Sequence, residues 1–237
     1  MIAARDVRPE WLDELPATDP RAVRARADLG RVNRLLGSLS IVVRALDDLP
    51  RPRRLVELGA GDGTLALRLA RRRARRWPGV ALTLVDRQPI VAGTTLATLR
   101  AHGWPTEVVA ADAVDWLAEQ SGAARAVLLA NLFVHHFDGE RLVRLLERAA
   151  ACADAFVCCE PRRSRIALAG SRLLGAIGAN DVTRHDAIAS VRAGFTDAEL
   201  SATWSRAVAR SARGGAWRLT ERGAGLFSHL FVARRAA

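Results

Sequence analysis

Five short apolar runs, Leu55–Leu58, Leu82–Val85, Glu107–Ala110, Ala126–Leu129 and Phe156–Cys159, mark the middle of the chain, and between them Thr64–Arg76, Pro89–Arg100 and Gly139–Ala151 carry the spacing of helices. Runs that are apolar throughout, alternating with helices, predict parallel strands covered on both faces. After residue 160 the order changes. Helical spacing covers Ser164–Gly175 and Asp181–Ala193, Thr196-Asp197 is placed to cap another short helix, and Ala216–Thr220 with Leu226–Arg234 around Gly223-Ala224-Gly225 predict a closing hairpin. Ahead of the first run, a long helical pattern beginning near Thr18-Asp19-Pro20 ends at Pro50-Arg51-Pro52, where proline removes backbone donors. The expectation is an α/β fold: a seven-stranded, mostly parallel sheet with helices on both faces, an antiparallel C-terminal hairpin, and residues 1–50 as a helical lid over a domain spanning 51–237.

Composition changes this picture little. The 237 residues are 50% hydrophobic and 26% charged, an ordinary balance for one large domain. The formal charge of +11 raises a nucleic-acid reading, but every basic residue is Arg, a bias that a skewed codon pool also produces. Residues 51–100 hold 11 Arg against 3 acids, and Arg68, Arg71, Arg72, Arg73, Arg75 and Arg76 crowd one predicted helix end, where the helix dipole favours cations. That cluster reads as a solvated helix end, with a polyanion surface as the alternative. Cys152, Cys158 and Cys159 form neither a disulfide framework nor a metal-ligand spacing, so no metal is expected. With no long apolar span and no signal-like start, the expected compartment is the reducing cytoplasm, without a membrane span.

The chemistry concentrates at Leu55-Val56-Glu57-Leu58-Gly59-Ala60-Gly61-Asp62-Gly63-Thr64, a buried strand running through glycines into a helix. Glycines let the backbone turn sharply and a ligand come close. Their spacing is G-x-G-x-G, not the dinucleotide G-x-G-x-x-G, and the preceding Glu57 would repel a phosphate and attract a cation. Asp86 ends the next strand at the interval of a ribose-binding acid, while Asp112 and Asn131 follow the third and fourth runs. All four polar residues fall at strand carboxyl ends, where open α/β sheets bind ligands.

These residues resemble the class I S-adenosylmethionine-dependent methyltransferases, which are Rossmann-like. Val56–Gly63 resembles the family's first motif, Asp86 its ribose acid and Ala111-Asp112-Ala113 its adenine-contact motif. Asn131-Leu132-Phe133-Val134-His135-His136-Phe137 is similar to the segment after the fourth strand in quinone-pathway-like members. The likeness runs from about residue 30 to the C-terminus. It implies that S-adenosylmethionine is the cofactor, that Glu57 and Gly59 flank its methionine part, that Asp86 holds the ribose and that Asp112 takes the adenine amino group. Ala60, Gly61, Arg87, Ala113 and Asn131 complete the candidate cofactor contacts. It also implies substrate-pocket helices around 161–200.

Methyl transfer to a phenolic or enolic oxygen needs alignment, exclusion of water and removal of a proton. Histidine suits the last task, and His136 and His185 are the candidate bases; His135, Glu160 and Asn33 are candidate substrate contacts, while His102 and His229 read as peripheral. The expected reaction is O-methylation of an aromatic or quinone-like small molecule, with C-methylation open. An RNA or protein methyltransferase is the alternative, against which stand the absence of an Asn-Pro-Pro-aromatic run and of a Pro-Cys nucleophile. A nicotinamide reductase fits the glycine spacing poorly, and a non-catalytic cofactor-binding protein stays open.

Overall fold

A computed structural model describes residues 4–120, 122, 124–211 and 215–236. After the N-terminal helices α1 (Trp11–Glu14), α2 (Pro20–Leu36) and α3 (Ser38–Asp47), strands and helices alternate as the sequence predicts: β1 (Arg54–Leu58), α4 (Thr64–Arg73), β2 (Ala81–Asp86), α5 (Gly93–Ala101), β3 (Thr106–Ala110), α6 (Ala113–Glu119), β4 (Ala126–Asn131), α7 (Gly139–Cys152) and β5 (Ala153–Pro161). Then come α8 (Arg165–Arg172), α9 (Asp181–Ala193), α10 (Glu199–Arg210), β6 (Trp217–Ala224) and β7 (Ser228–Arg235).

The seven strands form one sheet in the order β3-β2-β1-β4-β5-β7-β6. The first five strands are parallel, and the closing hairpin adds β7 antiparallel to β5 and β6 antiparallel to β7. One core, with α6, α7 and α10, packs Trp116, Leu145, Leu146, Phe156 and Trp204; the other, with α3, α4 and α5, packs Leu46, Leu69, Leu82, Leu84 and Leu99. The inner parallel strands β1, β2, β4 and β5 are therefore buried on both sides, which explains their apolar runs, whereas the edge strands β3 and β6 stay largely open. Because β1 lies between β2 and β4, the direction of strand order reverses there, and a crevice opens at the carboxyl ends of β1 and β4.

Four local differences from the sequence pattern have physical causes. Gly37, at φ 68°, breaks the long N-terminal pattern into two helices. Of the stretch expected to be a lid, α3 belongs instead to the sheet's own layer, with Val42, Leu46 and Leu49 in the core. The late helix begins at Glu199, whose carboxylate accepts the Thr196 N–H at 3.0 Å, and runs on to Arg210, so it is longer than the capping pattern at Thr196-Asp197 suggests. In the hairpin, pairing extends to Ala224 opposite Ser228, so Gly223 and Ala224 belong to β6 and the turn keeps only Gly225, at φ 72°, of the predicted three residues.

The helix α2 is fastened across the molecule rather than left loose. Its buried Asp28 accepts the Asn180 N–H at 2.9 Å and the Thr183 hydroxyl at 3.3 Å, both at the start of α9, and pairs with Arg31. The Arg cluster is only partly a solvated helix end. Arg73 is buried, with its guanidinium 2.5 Å from Asp47 and over the Trp77 ring at 5.6 Å, and Arg68 reaches the crevice. Among the described residues, no helix is long and apolar enough to cross a membrane.

Candidate functional site

A cavity of about 930 Å³ occupies the crevice. Its floor is the loops after β1, β2, β3 and β4; its cover is the segment around Val7–Glu14 together with Leu29, Gly30 and Asn33 of α2 and Ser38 and Leu39 of α3.

The turn after β1 holds Gly59, Gly61 and Gly63 at φ 67°, 53° and 74°, all in the left-handed region. Gly59 and Ala60 donate their N–H groups to the Val85 carbonyl at 2.9 and 3.1 Å, which ties the turn to the end of β2. A Cβ at Gly59 would stand 2.2 Å from the Phe133 ring, so this glycine also permits a close approach of two loops. The Asp62 carboxylate accepts the Thr64 N–H at 2.9 Å and helps start α4.

Glu57, in β1 beneath this turn, is 3% exposed, and its Oε2 has no donor. Burial, reinforced by the nearby charges of Asp62 and Asp86, pushes its carboxyl up to about 8. The Asn131 Oδ1, at the end of β4, is likewise buried without a donor. Both residues line the cavity, so two acceptors at neighbouring strand ends lack a donor: an arrangement complementary to a cationic N–H group.

Asp86 is held open at the end of β2, one oxygen accepting the Gly61 N–H and the other the Gln88 N–H, each at 2.8 Å. Asp112 divides its carboxylate between the Val114 N–H at the start of α6 and Arg141, both at 2.8 Å. Asn33, Arg87 and Ala113 also line the cavity, and Arg87 lies 3.7 Å from Asp13 of the cover.

The turn after β4 is built on an unusual foundation. Leu132 sits at φ 54°, a conformation that costs a side-chain-bearing residue roughly 1–3 kcal/mol. The fully buried Glu160, in β5, holds this turn from below: Oε1 accepts the N–H groups of Phe133 and Val134 at 3.2 and 3.0 Å, and Oε2 accepts that of His135 at 3.3 Å and lies 2.7 Å from His135 Nδ1. Glu160 therefore corrects the sequence expectation. It does not line the cavity as a substrate contact, because both its oxygens are taken up by the turn that presents the histidines.

His135 and His136 both line the cavity, their rings 4.1 Å apart. The His135 Nε2 lies 3.3 Å from Glu10, and the His136 Nε2 lies 3.4 Å from the other Glu10 oxygen. Burial disfavours charge on His135, but hydrogen bonds to Glu10 and Glu160 outweigh it and raise the imidazole to about 9. The same two histidines, against the effect of burial, hold Glu10 far below the usual carboxylate range. His136 is arranged differently, with Nδ1 2.9 Å from the Phe133 carbonyl and Nε2 turned to the cavity side.

His185 is a second correction. Its ring stacks on Trp11 at 3.9 Å and its Nδ1 lies 2.9 Å from Asp186, in a separate shallow hollow with Arg8, Pro9 and Arg192. The inward stripe of α9 comprises Val182, Thr183, Asp186, Ala189 and Ala193, and His185 falls off it. Asp186 anchors the cover instead, accepting the N–H groups of Trp11 and Leu12 at 2.8 and 3.0 Å. His102 and His229 stay off the cavity, though His229 is buried and 2.8 Å from Glu221. The three cysteines are free and buried, which raises their thiols and makes them poor nucleophiles.

Sequence reasoning missed Glu10, Asp13 and Ser190, which complete this corner. Glu10 is separated from His135 by 125 positions and sits in a segment without periodicity, so only the fold brings it there.

No protein-family model matches the chain. A stretch of 126 residues, 51% of the chain, is 36% identical to "Ribosomal RNA small subunit methyltransferase C" of Pseudomonas paraeruginosa, of which it covers 34%. The chain thus spans about a third of the length of that relative. Among solved structures, an O-methyltransferase family protein from Burkholderia thailandensis is similar at a TM-score of 0.56 and 18% identity, over 93% of this chain and 64% of that one. The plantazolicin methyltransferase BamL, in a complex with a desmethyl analogue and SAH, is similar at a TM-score of 0.61 and 11% identity, over 94% of this chain and 91% of that one.

Proposed function

We propose that this chain, whose fold is that of the class I S-adenosylmethionine-dependent methyltransferases, transfers a methyl group from S-adenosylmethionine to the hydroxyl of an aromatic or quinone-like small molecule. The observation that carries the cofactor reading is the pair of buried, donor-less oxygens on Glu57 and Asn131 at the end of the glycine turn. An amino-acid ammonium satisfies both, and a diphosphate satisfies neither. Asp86 offers carboxylate oxygens at the position of a ribose acid, and Asp112 with Ala113 forms the far wall for the adenine.

Bound S-adenosylmethionine supplies a methyl carbon on a positively charged sulfur, open to in-line displacement. The chain's part is to align the acceptor, keep water out and take its proton. Leu12, Leu29, Leu39, Ile90, Phe133 and Phe137 give the cavity apolar surface suited to a planar ring. The His136 Nδ1 faces a carbonyl, so this nitrogen carries the hydrogen and Nε2 keeps the lone pair that receives the acceptor's proton. His135, enclosed between Glu10 and Glu160, positions its neighbour and the cover.

The name of the Pseudomonas relative favours a second reading, methylation of ribosomal RNA. Against it, acids outnumber arginines around the cavity even though the whole chain is basic, and Glu10, Asp13 and Glu14 sit in its cover, where a phosphate backbone would approach. Incubation with methyl-labelled donor, a panel of phenols and hydroquinones, and ribosomal RNA separates the two. Label is expected in a phenol; label in RNA alone would reject the small-molecule reading.

Two smaller predictions concern the donor. A proton on Glu57 must leave before a cation can pair with it. Affinity for S-adenosylhomocysteine is therefore expected to rise with pH towards about 8, by at most roughly tenfold per unit. Glu57→Gln should weaken binding and remove its share of that slope, as calorimetry across the range will show. In Gly59→Ala the new Cβ adds a clash with Phe133 to a left-handed backbone penalty of roughly 1–2 kcal/mol. Donor affinity should fall by about tenfold or more; unchanged affinity would mean that the turn does not form the donor site.

A further inference from the structure

We propose that the Nε2 atoms of His135 and His136 and the carboxylate of Glu10 form a site for one divalent transition-metal ion, of the zinc, cobalt or manganese type, at the edge of the cavity. These three residues place one ligand atom each within 4.8 Å of one another.

The hydrogen-bond directions point to a cation. Each ring has its Nδ1 against an acceptor, Glu160 Oε2 at 2.7 Å for His135 and the Phe133 carbonyl at 2.9 Å for His136. In a neutral ring the acceptor claims the hydrogen on Nδ1, so both Nε2 atoms present lone pairs once an ion displaces the second proton that His135 otherwise holds. Those lone pairs converge on Glu10, itself an acceptor, at 3.3 and 3.4 Å, with Asp13 a further 3.8 Å from His136. Two ring nitrogens and a carboxylate meeting within 4.8 Å of one another repel unless positive charge, a proton or an ion, lies between them.

The spacing fits as well. Metal bonds to imidazole and carboxylate of about 2.0–2.2 Å put neighbouring ligands about 3.0–3.5 Å apart in octahedral or tetrahedral geometry. The two histidine-to-Glu10 separations fall in that interval, at the long limit for a hydrogen bond. The surroundings are those of a supported site: a carboxylate behind one histidine, a backbone carbonyl behind the other, and the Ser190 hydroxyl donating to Glu10. Two imidazoles with one carboxylate select a borderline transition metal over magnesium or calcium, which prefer all-oxygen shells.

On the cavity side such an ion keeps an open position. If the methyl-transfer reading holds, a phenol or enol oxygen binds there, its O–H proton passing to solvent as the oxygen becomes a metal-bound anion. The ion would then occupy the lone pair of His136 otherwise used as base.

The test needs neither methyl donor nor acceptor, so its failure leaves the methyl-transfer reading standing. Chelator-treated protein is titrated with Co2+ and followed by visible absorption and by bound-metal analysis. One equivalent is expected, with intensity typical of nitrogen-ligated, low-coordinate cobalt. Glu10→Gln and His136→Gln should each weaken binding by tenfold or more, and Glu160→Gln, which disturbs the turn and the hydrogen bond that support His135, by about 10–100-fold. Thermal melting checks that each variant folds; His136→Gln decides the matter if Glu10→Gln loosens the cover. No saturable binding, or binding that all three variants leave unchanged, would overturn the site and mean that a proton on His135 alone neutralises the cluster.

Discussion

Replacing His136 by Ala is expected to lower kcat for methyl transfer to a phenolic acceptor by about 10²–10⁴-fold, the range lost when a positioned proton acceptor is removed. Affinity for S-adenosylhomocysteine should be unchanged, because of the groups proposed to face the donor Glu57, Asp86 and Asp112 belong to other strand ends, and Asn131 ends β4 ahead of the turn that carries His136. The effect should shrink for acceptors acidic enough to be ionised already. That pattern separates loss of a proton acceptor from general damage to the pocket. An equal loss of kcat for acidic and ordinary phenols would show that His136 acts on pocket shape instead. His185→Ala, outside the cavity, should leave the ratio between the two acceptor classes where it was.

The second large effect concerns Glu160. Its carboxylate is fully buried and holds three backbone N–H groups together with the His135 ring, so Glu160→Ala leaves all of them without an acceptor. Breaking a buried charged network of this kind costs about 3–5 kcal/mol, and Tm should fall by roughly 10 °C for a chain of this size. The strained Leu132 turn, which this network holds, should relax as well. Glu160→Gln keeps one acceptor oxygen and should lose less. Denaturant unfolding of the three proteins checks the order; equal stability of wild type and Glu160→Ala would contradict the assignment.

The same network predicts how stability depends on pH. The native chain holds a proton on His135 up to about 9, while an unpaired imidazole releases it near 6.5. That contribution is complete below 6.5 and is lost as pH rises through 9. Glu57 acts in the same direction between 4.5 and about 8, because its buried carboxyl keeps a proton that the unfolded chain gives up. The unfolding midpoint should therefore be lower at pH 9 than at pH 6, and Glu160→Gln should flatten the part due to His135.

The sheet was legible because its inner strands are buried on both faces and each ends at a turn or polar residue, so periodicity and punctuation agree. That Glu57, Asp86, Asp112 and Asn131 line one cavity was legible for a related reason: each lies at or within two residues of a strand's end, and parallel strands put those ends together. The histidine corner was not. Glu10 meets His135 and His136 only because Asp186 anchors Trp11 and Leu12, and Arg5 reaches the His135 carbonyl at 2.8 Å, pulling an irregular segment across the crevice. Glu160 and His185 were misplaced for a related reason. Strand position and helix phase fix where a side chain points, and neighbours that are remote in sequence, the Leu132–His135 turn and Trp11, decide what it meets.

The most direct test is a competition titration of the purified chain with S-adenosylhomocysteine and NAD by calorimetry. A carboxylate behind a glycine turn predicts one saturable site for the adenosyl amino acid and no response to the diphosphate. Silence towards S-adenosylhomocysteine at millimolar concentration, or its displacement by NAD, would contradict that prediction.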